Sequence, residues 1–282
     1  MDNIKEIEKE LSPFVSVIIP SYNHEKYVIQ ALSSVIEDTY SLKEIVIIDD
    51  GSSDNSVEMI ENWIAENNEK ISVIFKHRKN KGFTATLNEL ISLANGKYVV
   101  LLASDDLLIN NTIKARIDLL EKNNTKMVLI SDAQVIDSEG GVIFESMMSD
   151  FHKTDKNNYS TDEGIINEII FNFAISGAVV MMNKDIYSLI GKYPENLKAE
   201  DLYFYIKSAC LNKILFLDRK VSKYRIHSSN TSGINPELTK TVILTYFKTL
   251  SSIPTLSRKL KVIKRICGLF YYSVVNSKSA HQ

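Results

Sequence analysis

VSVIIPSYN, residues Val15–Asn23, is followed by IVIIDDGSSD at Ile45–Asp54, and these two stretches decide how the chain reads. Each is a short, continuous, β-branched apolar run that stops on turn chemistry. Pro20-Ser21-Tyr22-Asn23 ends the first; Asp49-Asp50-Gly51-Ser52-Ser53-Asp54 ends the second. Apolar runs without alternation belong to strands buried on both faces, the condition of a parallel sheet covered by helices.

Outward from this pair the rhythm continues. Asn23 is placed to cap a helix whose apolar face is Tyr27, Val28, Ala31, Leu32 and Val35. Asp54 or Ser53 caps a second, with Val57, Ile60 and Ile64 inward. Ile71–Phe75 reads as a third strand, with a turn at Asn80-Lys81-Gly82. A third helix presents Phe83, Leu87, Leu90, Ile91 and Ala94, and Asn95-Gly96 stops it. Tyr98–Ala103 is a fourth strand, and Ile113, Ile117 and Leu120 mark the helix beyond it. After about Asn124 the rhythm loosens. Met127–Ile130, Val179–Met182, Ile214–Leu217 and Val221–Ile226 read as strands, Glu200–Ala209 as a helix, and Ser146–Asp162 as a mobile polar loop. The fold class is α/β, Rossmann-like, a mostly parallel central sheet with helices on both faces and a helical C-terminal extension.

Ligands of such sheets bind beyond the carboxyl ends of the strands. Four polar groups fall there: Pro20 to Asn23, Asp49 to Asp54, Asn80 to Gly82 with Asn88, and Ser104-Asp105-Asp106. Taken singly, each has a structural reading as turn or cap chemistry. Adjacent carboxylates repel unless a cation or donor groups neutralise them. Several carboxylates with few soft ligands suit a hard divalent ion, Mg2+ or Mn2+, able to bridge phosphates. Tyr22 offers a face for a nucleobase.

These motifs, in this order, closely resemble the family-2 inverting glycosyltransferases of the GT-A fold, over roughly residues 14–232. The resemblance implies that Pro20, Tyr22, Asn23, Asp49, Asp50, Asn80, Lys81, Gly82, Asn88, Ser104 and Asp105 surround the donor nucleotide. Asp105 and Asp106 would stand at the metal-binding acidic motif, although many relatives carry a further Asp where this chain has Ala103. Ser176-Gly177-Ala178 resembles the family's small-residue segment near the sugar. Glu200-Asp201 matches the Glu-Asp motif whose Asp is the general base, here Asp201; without the resemblance the pair reads as favourable charge at a helix start. Tyr224-Arg225-Ile226-His227, with Asn230 and Ser232, resembles a segment of polysaccharide-building members. There Arg225 and His227 would reach the diphosphate or the metal. The activity so implied is transfer of a sugar from a UDP-sugar to a glycan, preferably lipid-linked, in bacterial surface polysaccharide (O-antigen or capsule) synthesis. The alternatives are a non-catalytic nucleotide-sugar-binding subunit, which Ala103 would suit, and a sugar nucleotidyltransferase, which would want a Gly-rich first loop. The expected organisation is an extension at 1–12, a catalytic domain at 13–234 (nucleotide half 13–123, acceptor half 124–234) and a basic tail at 235–282.

Composition bounds the rest. The 282 residues carry a net charge of −2, against a nucleic-acid binder. Cys210 and Cys267 match no metal or redox spacing. Met1 to Leu11 has no leader-like apolar core, and no segment is long and apolar enough to span a bilayer, so a cytoplasmic location is expected, with peripheral membrane attachment as an option. From Leu238 onward there is no Asp or Glu but eight Lys or Arg, spaced with apolar residues at helical intervals. The stretch 255–282 therefore reads either as an amphipathic helix on an anionic membrane or as a helix packed on the domain or in a homodimer.

Overall fold

The structure, a computed structural model, describes residues 12–175, 177–197, 200–228, 230 and 236–279. Ser176, Ser232 and nearly all of the 1–12 extension lie outside them. Strands β1 (Val15–Ser21), β2 (Lys43–Asp49), β3 (Ser72–His77) and β4 (Tyr98–Leu101) are parallel, in the spatial order β3-β2-β1-β4. Helices α1 (Val28–Glu37), α2 (Ser56–Asn67) and α3 (Phe83–Leu93) connect them. Alternate residues enter opposite cores: Val15, Val17 and Ile19 point to one face of β1, Ile18 to the other. Both faces are thus covered, as the unbroken apolar runs require.

The sheet continues through β8 (Met181–Asn183), β6 (Val128–Ile136), β9 (Ile214–Arg225) and the two-residue β5 (Leu107–Leu108), with β7 (Val142–Phe144) on β6. Here the pairing is mixed: β8 is antiparallel to β4 and β6, while β9 runs parallel to β6. Two reversals leave β9 parallel to β4, so the end of β9 reaches the same edge as the ends of β1, β2 and β4. Helices α4 (Ile113–Lys122), α5 (Asp162–Phe171), α6 (Ile186–Ile190) and α7 (Glu200–Cys210) cover this part. This is the expected α/β architecture, parallel in the nucleotide half and mixed in the other.

Several local expectations are corrected. Pro20 lies inside β1 and does not end it. Asn23 caps no helix, since α1 begins at Val28. In α2 the core positions are Ile60 and Trp63, with Val57 and Ile64 only half-buried. Phe83 is exposed, and Thr84 and Thr86 share the buried face of α3. The 146–162 segment is not a free loop: it forms two short helical turns, Met147–Phe151 and Lys156–Ser160, anchored by buried Met147, Met148 and Tyr159. Asp132, wholly buried, fastens it by accepting from Ser146 Oγ (2.6 Å) and Met148 N (3.1 Å) and pairing with Lys156. The two strands expected within 214–226 are one, β9, with an irregular register opposite Ser131–Ala133.

The C-terminal extension forms α8 (Pro236–Thr249) and α9 (Leu256–Ser279). Ile243, Tyr246, Ile253, Val262 and Ile266 are buried in the same core as β6, α5 and α7, so both helices pack on the domain.

Candidate active site

The loop after β2 is shaped by Asp49. Its carboxylate, with no exposure, accepts from Gly51 N (3.1 Å), Ser52 N (2.8 Å), Ser52 Oγ (2.6 Å) and Ser21 Oγ (3.2 Å). Such donation neutralises the charge without a cation. Gly51 has φ +84°, and a Cβ there would stand 2.7 Å from Asn80 N, so this turn needs glycine to lie against the following loop. Asn23, itself at φ 54°, ties the first loop to the second by accepting from Ser53 N (2.8 Å) and donating its own N–H to Ser52 Oγ (2.8 Å). Beside it, Tyr22 stands exposed with its ring available.

Asp50 faces the third loop. It accepts from Lys81 N and Gly82 N, both at 2.9 Å, and pairs with the Arg78 guanidinium. Arg78, which no motif singled out, also binds Glu89 (3.1 Å) and Thr86 Oγ1 (2.9 Å). Asp50 therefore fixes the Asn80–Gly82 turn at the start of α3; it takes up the Lys81 and Gly82 N–H groups, and the exposed Lys81 and Asn80 side chains border the edge. Asn88 is turned elsewhere. Its amide accepts from Tyr193 N and donates to Tyr193 O, each at 3.0 Å, and so clamps the segment leading into α7.

The fourth loop gathers the most chemistry. His24 Nδ1 bonds the buried Ser104 Oγ at 2.8 Å, which leaves its Nε2 facing Asp105 Oδ2 at 3.8 Å. His227 Nε2 reaches the same Oδ2 at 3.0 Å, and its ring stacks on Tyr27 at 4.8 Å. Ligand atoms of His24, Asp105 and His227 all lie within 4.8 Å of one another. Two donors at about 2.1 to 2.4 Å from one ion lie at most roughly 4.2 to 4.8 Å apart, so the three are close enough to share a single divalent cation only at the long end of that range or after a small inward shift. Burial lowers the His24 pKa, with Asp105 opposing and His227 reinforcing, which favours the neutral imidazole that a metal requires. The Ser104 contact fixes the ring orientation.

Asp106, expected beside Asp105 as a ligand, points the other way: Arg225 N donates to its Oδ1 at 2.8 Å, inside the fold. Burial, then the charge of Asp105, pushes its pKa well up. Arg225 is also fully enclosed. Its guanidinium donates to the carbonyls of Asp105, Asp137 and Ser138 and to Gln30 Oε1, and lies over the Tyr27 ring. It bolts the fourth loop to α1 and the β6–β7 turn and does not point to solvent. Asn230 holds the His227 turn by accepting from His227 N and donating to Arg225 O.

On the acceptor side, Gly177 opens a helical turn that leads into β8. Glu200 and Asp201 begin α7. Burial raises Asp201 to about 6, opposed by N–H donation from Leu202 at 2.6 Å. Burial, then the Asp201 charge, raises Glu200 to about 8. The two carboxyls are adjacent and both raised by burial, so near neutral pH the pair together holds about one proton. A base poised just below the working pH is what proton abstraction from a hydroxyl needs.

A sheet that is parallel on one side and mixed on the other, with acidic loops along its carboxyl edge, is the arrangement of GT-A proteins. The model of the family described as Glycosyl transferase family 2 matches residues 16–186, more than half of the chain, and the chain belongs to that family. An uncharacterized glycosyltransferase of Rickettsia bellii is 30% identical over 223 residues, covering 79% of this chain and 30% of its own. The chain spans about a third of the length of that relative and of two similar Rickettsia proteins. Among solved structures, S. aureus TarS 1–349 in complex with UDP-GlcNAc superposes with a TM-score of 0.68 at 19% identity, covering 92% of this chain and 73% of that one. Mannosyltransferase PcManGT from Pyrobaculum calidifontis, in complex with GDP-Man and Mn2+, gives 0.66 at 16%, covering 93% and 70%. These likenesses establish the GT-A fold.

Proposed function

We propose that the chain is an inverting glycosyltransferase that takes a sugar from a UDP-sugar and gives it to a hydroxyl of a glycan acceptor. The observation that carries this is the meeting of His24, Asp105 and His227, from the loops after β1, β4 and β9, at one point of the sheet's carboxyl edge. The nucleotide sugars in the TarS and PcManGT structures, and the Mn2+ in the latter, support a donor and a metal of this kind. Tyr22 would stack on the base, while the Asn80–Gly82 turn, shaped by Asp50, and Lys81 would line the diphosphate.

His24, Asp105 and His227 would hold Mg2+ or Mn2+, which when bound supplies positive charge to the departing diphosphate. The ligand set proposed here replaces Asp106 with His24. Asp201 takes the acceptor proton as the acceptor oxygen bonds to the anomeric carbon and the bond to the diphosphate oxygen breaks. The proton that Glu200 and Asp201 share would keep a second negative charge from building up beside the base. Gly177, with no side chain, leaves room for the sugar. A lipid-linked acceptor on the cytoplasmic face, in surface polysaccharide assembly, suits the bacterial relatives and the basic extension.

Calorimetry with UDP, with and without EDTA, and hydrolysis of a panel of UDP-sugars test the proposal. Chelation should weaken UDP binding, and one UDP-sugar should be cleaved slowly. Absence of any nucleotide binding rejects the donor assignment, and binding indifferent to EDTA rejects the metal. Ala103 favours a second reading, a nucleotide-sugar-binding subunit without catalysis; detectable hydrolysis or transfer excludes it.

A further inference from the structure

Helix α9 has two apolar stripes, and only one of them is used. Val262 and Ile266 are buried against the domain. The helix is locked in that orientation by Arg258, which pairs with Glu163 and bonds Asn167 Oδ1 at 2.9 Å, and by Arg265, which donates to Phe171 O at 2.7 Å. The second stripe, Leu256, Leu260, Ile263, Cys267 and Phe270, faces solvent; Leu256 is 72% and Leu260 57% exposed. Its members recur at alternating intervals of four and three residues and so lie along one line of the helix. At about 100° per residue, Lys259 flanks this line on one side and Lys264 on the other.

We propose that this stripe docks on an anionic lipid bilayer, with Leu256, Leu260, Ile263 and Phe270 in the acyl boundary and Lys259 and Lys264 at the headgroups. The same spacing would suit a helix of a second copy, but charge decides between the two. Self-pairing would set Lys259 and Lys264 beside their own kind, and the chain has no Asp or Glu beyond residue 237 to relieve them. Anionic headgroups relieve both lysines. The helix lies on the bilayer without crossing it, for among the described residues none is long and apolar enough to span. The inference is independent of the transferase assignment.

Co-sedimentation of the full chain with vesicles of phosphatidylcholine alone, or with phosphatidylglycerol added, tests it. The protein should partition onto the anionic vesicles and stay free of the neutral ones. Lys259→Glu/Lys264→Glu should cut partitioning more than about twenty-fold, each lysine being worth about fivefold before reversal of charge is counted. Leu260→Asp/Ile263→Asp should abolish it, with unchanged circular dichroism because both sites are exposed. No binding to anionic vesicles overturns the proposal. So does a loss confined to the lysine variant, which would mean charge attraction without insertion. A lipid-free dimer that Leu260→Asp/Ile263→Asp dissociates would assign the stripe to a second copy instead.

Discussion

If Asp201 is the base, turnover carries its ionisation. With a pKa of about 6, Asp201 is about 90% charged at pH 7 and about 10% at pH 5. The rate under saturating donor and Mn2+ should therefore fall about tenfold between those values. An ordinary aspartate near 3.8 would lose less than about 10% over the same interval. Asp201→Asn should lower kcat by about 10²–10⁴-fold, the usual contribution of a general base, and its residual rate should be flat from pH 5 to 7. Glu200→Gln, a copy of the protonated neighbour, should keep both the rate at pH 7 and the acid limb. The assay is release of UDP across that pH range, with UDP affinity measured in parallel to confirm donor binding by each variant. A tenfold acid limb that persists in Asp201→Asn would refute the reasoning, because the titration would then belong to another group, such as a histidine of the cation site. Full turnover by that variant would refute the assignment itself.

Further outcomes are expected at the cation site, at Asp106 and at Asn88. His24→Ala should weaken Mn2+ binding read by electron paramagnetic resonance, and Ser104→Ala should weaken it by about 10–100-fold through the imidazole it orients; two nitrogen ligands should also favour Mn2+ over Mg2+. Asp106→Asn can still accept from Arg225 N. The raised Asp106 pKa means that its penalty is absent below about pH 4 and grows as pH rises, so the variant should melt at the wild-type temperature in acid and higher at pH 7, with Mn2+ affinity unchanged. Lost Mn2+ affinity in that variant would restore Asp106 as a ligand. Asn88→Ala leaves the Tyr193 backbone without two partners, and should cost about 1–3 kcal/mol in a denaturant titration and lower kcat more than UDP affinity.

The nucleotide half was legible because its strands are buried on both faces, which writes Val15–Ile19 and Ile45–Ile48 as unbroken apolar runs. Where burial depends on isolated side chains the reading failed. Met147, Met148 and Tyr159 sit among charged residues, so the segment they anchor looks like a loop. The polar stretch Asp218–Lys220 looks like a gap between strands, yet it lies within β9 at the change of register. Motif residues were found more readily than their contacts within the fold: the loop bonds of Asp49 and Asp50 and the enclosure of Arg225 carried no sequence signal. His24 carried no signal of its own, because its partners Ser104, Asp105 and His227 lie far along the chain and only the folding of three strands onto one edge unites them. Its one clue was its position immediately after Asn23.

The Asn88 clamp has a consequence for exchange between homologues. The segment that leads into α7, the helix carrying the proposed base, is tied to α3 in the opposite half by two hydrogen bonds to Tyr193 and by Thr84 Oγ1 donating to Leu197 O. A graft that imported a new acceptor region, cut between β4 and β6, would import the latch without its catch. Transplants meant to redirect specificity should therefore carry Thr84 and Asn88 with the incoming segment, and in such chimeras those two positions, remote from the motif being exchanged, would decide whether proton transfer and sugar departure stay aligned.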